Sequence, residues 1–128
     1  MAVTRSQEGL QSMDFSKPQE TREFSKGKAE LITLNGVTFG RATFQPGWRW
    51  SVDVKPIAGT NSCQAAHLGV QLSGTMHIKM DDGTEQDLRP GQLVNIPPGH
   101  DAWVVGSEPV VFIDITGMEN YAKQKKAA

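Results

Sequence analysis

Residues 67–105 read HLGVQLSGTMHIKMDDGTEQDLRPGQLVNIPPGHDAWVV. Short apolar runs in this stretch are separated by Ser73-Gly74, Asp82-Gly83, Pro90-Gly91 and Pro97-Pro98-Gly99. Glycine after aspartate supplies the positive φ that tight hairpin turns need, and proline ends a ladder. Within the runs the chemistry alternates. His67, Gly69 and Gln71 share one face of an extended chain, and Leu68, Val70 and Leu72 share the other. Thr75, His77 and Lys79 likewise oppose Met76, Ile78 and Met80. Each strand has one apolar face and one polar or small face. Periodicity alone does not say which of the two points inward.

The same texture extends on both sides. The pattern predicts strands near 30–34, 37–44, 48–54, 65–72, 75–80, 84–88, 92–96, 102–106 and 110–115, with further breaks at Asn35-Gly36, Pro46-Gly47 and Glu108-Pro109. Strands at this spacing, with no helical period between them, mean a sandwich or a closed barrel. Residues 1–28 are polar and aperiodic, and read as a loosely structured leader anchored by an aromatic or two, or paired at a sheet edge. The core domain is expected over 29–117, followed by a short tail, 118–128, whose lysines read as a solvated end.

Composition narrows the functions open to such a domain. The 128 residues fit one domain. They include 13 glycines and 7 prolines, a share above the roughly 12% of average usage, which favours many short elements. Lys and Arg number 13 against 14 Asp and Glu, a formal net charge of -1. That leaves no global basic field for a nucleic acid. No apolar run approaches the roughly 18 residues of a membrane span. The first ten residues lack an apolar signal core, so a cytoplasmic location is the default expectation. The single cysteine, Cys63, excludes a disulfide framework within the chain and a C-x-x-C pair.

The cadence of Gly74, Asp82-Gly83, Pro90-Gly91 and Pro97-Pro98-Gly99 resembles the cupin superfamily over about Phe44 to Ile115. Gly91, Pro97 and Gly99 fall at the turn positions of the second cupin motif, G-x5-P-x-G-x2-H-x3-N, and Gly74 at the closing glycine of the first, G-x5-H-x-H-x3,4-E-x6-G. The run from Pro97 to Gly106, with Pro46-Gly47-Trp48-Arg49-Trp50, is similar to small single-domain bacterial cupins. The resemblance implies an all-β fold, an antiparallel jelly-roll β-barrel, and a homodimer. It does not carry over the family's three-histidine, one-glutamate metal site. The glutamate position holds His67. The two first-motif histidines fall on Asn61 and Cys63, or on Thr60 and Ser62 with the longer spacing. The second-motif histidine falls on Ala102, two residues after His100.

The candidate metal ligands are therefore His67, His100 and Cys63. A thiolate with two imidazoles suits zinc, copper or iron and leaves a position for water or substrate. The bland alternatives are a buried, hydrogen-bonded His67, a loop-capping His100 paired with Asp101, and a Cys63 that is a small core residue. Gln71, His77, Arg49, Trp50 and Trp103 are candidates to line a ligand pocket. Against this, His77 reads equally as exposed, Arg49 as salt-bridged to a nearby acid, and the tryptophans as core or dimer contacts. Asp81-Asp82 is turn chemistry. The expected function is a small-molecule-binding cupin with a non-standard divalent transition-metal site (zinc, iron, copper, nickel or manganese). Such a site would allow metal-dependent catalysis on a small polar or carboxylate-bearing substrate. A metal-free, non-catalytic binding or sensory module is the alternative, and a purely structural barrel filled by side chains is the third reading. Neither a nucleic acid nor a membrane is expected as a partner.

Overall fold

A computed structural model describes residues 9–116 together with Tyr121 and Ala122. The strands are β1 (Glu20–Phe24), β2 (Gly27–Leu34), β3 (Val37–Phe44), β4 (His67–Ser73), β5 (Thr75–Met80), β6 (Glu85–Leu88), β7 (Leu93–Ile96), β8 (His100–Val105) and β9 (Val110–Asp114). They form a six-stranded sheet, β1-β2-β3-β9-β4-β7, and a three-stranded sheet, β6-β5-β8. Every pairing is antiparallel. The sheets form a jelly roll that does not close through hydrogen bonds. Ala29, Leu31, Ala42, Phe44, Met76, Ile78, Val104, Val110 and Phe112 are among the side chains of the shared core.

The chain crosses between sheets at Gly74. Its φ is +72°, and a Cβ there would lie 2.5 Å from the Pro109 carbonyl oxygen, so both conformation and space demand glycine. Gly69 is needed for a different reason: a Cβ would fall 1.8 Å from the Ile113 oxygen of the neighbouring strand. It allows β4 and β9 to approach closely rather than leaving room in the interior.

The strand expected over 48–54 is absent. The chain there forms two single-turn helices, α1 (Trp50–Asp53) and α2 (Lys55–Ala58). Carboxylates take the N–H groups that a ladder would have used. Asp53 Oδ2 accepts from the Arg49 N–H at 2.8 Å, and Asp101 Oδ1 accepts from the Ser51 N–H at 3.0 Å. Pro56 occupies the first turn of α2 and Gly59, at φ 74°, ends it. Trp48 and Trp50 are still both buried, but through a turn and a helix instead of one strand face.

Within the leader, β1 pairs at the sheet edge against β2. Its Phe24 packs on Phe44, Trp48 and Tyr121, with ring centroids 6.0, 6.4 and 6.1 Å away. Of the tail 118–128, Tyr121 and Ala122 are described and both are buried; the lysines lie outside the described residues. No helix among the described residues is long and apolar enough to cross a membrane.

Candidate functional site

The strand faces left open by periodicity are resolved in opposite ways. In β4 the polar face is inward: His67 and Gln71 are buried, while Leu68 and Leu72 are exposed. In β5 the apolar face is inward, with Met76 and Ile78 buried and Lys79 exposed. In β8, His100 and Ala102 are both buried. These inward residues, with Trp48, Trp50, Cys63 and Tyr121, line a cavity of about 40 Å³. A water needs roughly 10–15 Å³ on this measure, so the space suits a ligand of a few heavy atoms.

Cys63, His67 and His100 converge at this cavity. Their ligand atoms all lie within 4.8 Å of one another, and all three residues are buried. An isolated bridge fixes Cys63 against the start of β8, with its N–H donating to the His100 oxygen at 2.8 Å and its own oxygen accepting from Gly99 at 2.7 Å. Cys63 Sγ is 3.8 Å from His67 Nε2. The two imidazoles meet edge to face, with centroids 5.5 Å apart.

The far nitrogen of each ring is held. His67 Nδ1–H donates to Asp114 Oδ2 at 2.5 Å. The other oxygen, Oδ1, accepts from the Thr116 N–H at 2.8 Å and the Leu68 N–H at 3.4 Å. His100 Nδ1–H donates to the Pro97 carbonyl at 2.9 Å, so its partner is the turn and not Asp101. Both rings therefore turn Nε2 toward the thiol. Metal-binding histidines are oriented in this manner, by a carboxylate or carbonyl on the other nitrogen.

Burial pushes the Cys63 thiol up, but hydrogen bonds from His100 and His67 outweigh it and lower its pKa from 9.0 to about 6. Burial pushes His67 down, yet the Asp114 hydrogen bond, aided by Cys63, raises it from 6.5 to about 9. The geometry favours a thiolate beside a protonated imidazole. Tyr121 stands over His67 at 5.4 Å, edge to face, and its phenol is pushed well above 10 by burial and by the charges of Cys63 and Asp114.

Of the residues expected to line a pocket, Trp50 and Gln71 do so. His77, Arg49 and Trp103 do not. Strand alternation puts His77 and Trp103 on the outer face of the three-stranded sheet, where their rings stack at 4.6 Å. Arg49 lies over Trp103 at 4.0 Å and pairs with Asp101 at 3.5 Å. His77 bonds Asp87 and Glu85, each at 2.7 Å. Asp82 accepts from the Thr84 N–H at 2.9 Å, in keeping with a turn role.

Sequence reasoning missed Asp114 and Tyr121, and it ranked Trp48 as a core or dimer contact ahead of a pocket wall, whereas Trp48 lines the cavity. Asp114 gave no decisive signal: it shares parity with Val110 and Phe112, but Val111, Ile113 and Ile115 make the other face of 110–115 apolar too, so alternation does not say which face is inside. Tyr121 gave no signal either, because its burial rests on contacts with Phe24 and His67, which are distant in the sequence.

No protein-family description and no curated protein matches the chain. Solved structures do. A cupin-superfamily sugar phosphate isomerase from Silicibacter pomeroyi is 15% identical, covering 81% of this chain and 73% of that one, with a TM-score of 0.58. A cupin-like protein from Thermotoga maritima is 16% identical over 76% of this chain and 73% of its own, at 0.51. Oxalate decarboxylase from Bacillus subtilis is 16% identical over 91% of this chain but 33% of its own length, at 0.57. The facing antiparallel sheets and these likenesses together show that the chain has the cupin fold.

Proposed function

We propose that this protein is a small-molecule-binding cupin whose site is a transition metal held by Cys63, His67 and His100. The observation that carries this reading is the convergence of three ligand atoms within 4.8 Å in the cavity, with each imidazole turned toward the thiol by an acceptor on its other nitrogen. The spacing suits a metal. Tetrahedral bonds of roughly 2.3 Å to sulfur and 2.0–2.1 Å to nitrogen put the two donors about 3.5 Å apart, and Cys63 Sγ and His67 Nε2 are 3.8 Å apart. A thiolate with two imidazoles favours zinc, copper or iron over the harder cations. Such a metal, when bound, supplies Lewis acidity at an open position to a substrate oxygen or a water.

The test is metal content of untagged protein after repletion with zinc, iron, copper, nickel and manganese in turn. Near-stoichiometric metal is expected, and its loss in Cys63→Ser, His67→Ala and His100→Ala. A folded parent that retains no metal would overturn the reading. The second reading is a metal-free binding or sensory module. It is favoured by the hydrogen-bonded line Cys63–His67–Asp114, in which buried polar groups satisfy one another without a cation. The same measurement separates the two.

We further propose a homodimer through the outer face of the six-stranded sheet. Leu68, Leu72 and Leu93 are exposed there on the neighbouring strands β4 and β7. Light scattering that gives a monomer mass at micromolar concentration would overturn this.

A further inference from the structure

Among the described residues, the fully buried side-chain donors are committed with one exception. His67 and His100 donate from Nδ1 to Asp114 and Pro97. Both N–H groups of the buried Gln71 amide reach carbonyls, those of Gly74 and Leu88, each at 2.9 Å. The exception is Trp48. It lines the cavity, is 2% exposed, and its buried indole Nε1–H has no hydrogen-bond partner among the described residues. Its ring is held by Phe44 at 4.2 Å, which offers no acceptor. An indole N–H can only donate, and one taken from water without an acceptor opposes folding. A bound molecule that brings an acceptor oxygen removes that penalty.

The charge of the site narrows the class. Among the described residues, no lysine or arginine lines the cavity. Asp114, which accepts from three N–H groups, adds a buried carboxylate behind His67. A divalent cation with one thiolate and this carboxylate leaves the site with no net charge. An anion entering so apolar a space would be uncompensated, whereas a neutral oxygen would not. With a volume of about 40 Å³, the space also limits the ligand to a few heavy atoms.

We infer that the cavity takes a small uncharged carbonyl compound whose oxygen accepts the Trp48 Nε1–H. The charge count rests on the metal reading above, so metal content is measured first and separately. The probes are acetamide and acetate, which match in size and differ in charge, added to zinc-loaded protein. Binding is followed by the indole N–H signals of the three tryptophans in ¹⁵N-correlated NMR spectra. Acetamide is expected to move the Trp48 signal downfield, and acetate at the same concentration to leave it in place. Trp48→Phe keeps the ring packing and removes the donor. It should weaken acetamide binding at least tenfold with zinc content unchanged. Equal or tighter binding of acetate, an unmoved Trp48 signal, or unaltered acetamide binding by a folded Trp48→Phe protein would each overturn the inference while leaving the metal site intact. Absence of zinc from the parent would instead overturn the metal reading, and this inference with it. If Trp48→Phe does not fold, the response of the native indole signal to the two probes decides the question alone.

Discussion

Asp114 and His67 are 47 residues apart, both buried, and joined by a 2.5 Å hydrogen bond from His67 Nδ1 to Asp114 Oδ2. The bond spans the β4–β9 pairing. It holds Nδ1–H of His67 and so turns Nε2 toward Cys63. Two other N–H donors hold the second carboxylate oxygen, so the acid is fully engaged by the protein. It orients His67 from behind, away from the cavity centre.

Replacing Asp114 should weaken the metal site without removing a ligand. Asp114→Asn is expected to lower metal affinity by roughly 10–100-fold, the usual effect of losing such a partner. Asp114→Ala should also cost about 3–5 kcal/mol of stability, because it strips a buried partner from His67. Competition with a chromophoric chelator and denaturant titration read the two effects. Unchanged affinity in Asp114→Asn would argue that His67 is not a ligand.

The acid–base pairing gives a pH signature in metal-free protein. Cys63 has a folded pKa lowered from 9.0 to about 6, so its contribution is complete above 9 and lost as pH falls through 6. His67 has a folded pKa raised from 6.5 to about 9, so its contribution is complete below 6.5 and lost as pH rises through 9. Between 6.5 and 9 the two slopes oppose one another and stability should be nearly flat. Cys63→Ser removes one of them. Its stability should then fall as pH rises from 6.5 toward 9, as read by urea midpoints across that range. A thiol absorbance in the parent that titrates near 9, and not near 6, would contradict the pairing.

The outer cluster of Arg49, Trp103 and His77 should be independent of the site. Arg49→Ala and His77→Ala are expected to leave metal content unchanged and to shift stability by less than about 1 kcal/mol, since these groups are partly exposed and their pairs are screened. His77 is raised by its hydrogen bonds to Asp87 and Glu85, so any contribution it makes is complete below 6.5 and fades as pH rises above that. Loss of metal from either variant would mean that this face communicates with the cavity.

Gly69→Ala should be severely destabilising. Its Cβ would sit 1.8 Å from the Ile113 oxygen, and neither backbone can move without parting β4 from β9. That pairing also aligns His67 with Asp114. Thermal unfolding should show a large drop in Tm or no folded protein. A near-native Tm would contradict the close strand approach.

The sequence by itself determined the strand succession from β4 to β9 and its corners. Gly74, Gly83, Gly91 and Gly99 all have positive φ, and such turns are written in local residue types. It also supplied the candidates Cys63, His67 and His100, whose spacing falls near motif positions. What it left open depended on contacts between distant segments. Two carboxylates, Asp53 and Asp101, replaced the strand expected over 48–54 with two helical turns, because they satisfied backbone donors locally and across 50 residues. The polar face of β4 turned inward because Asp114 and the carbonyls of Gly74 and Leu88 were there to satisfy it. A period of two separates the faces of a strand, but only its neighbours in the folded chain decide which face is inside.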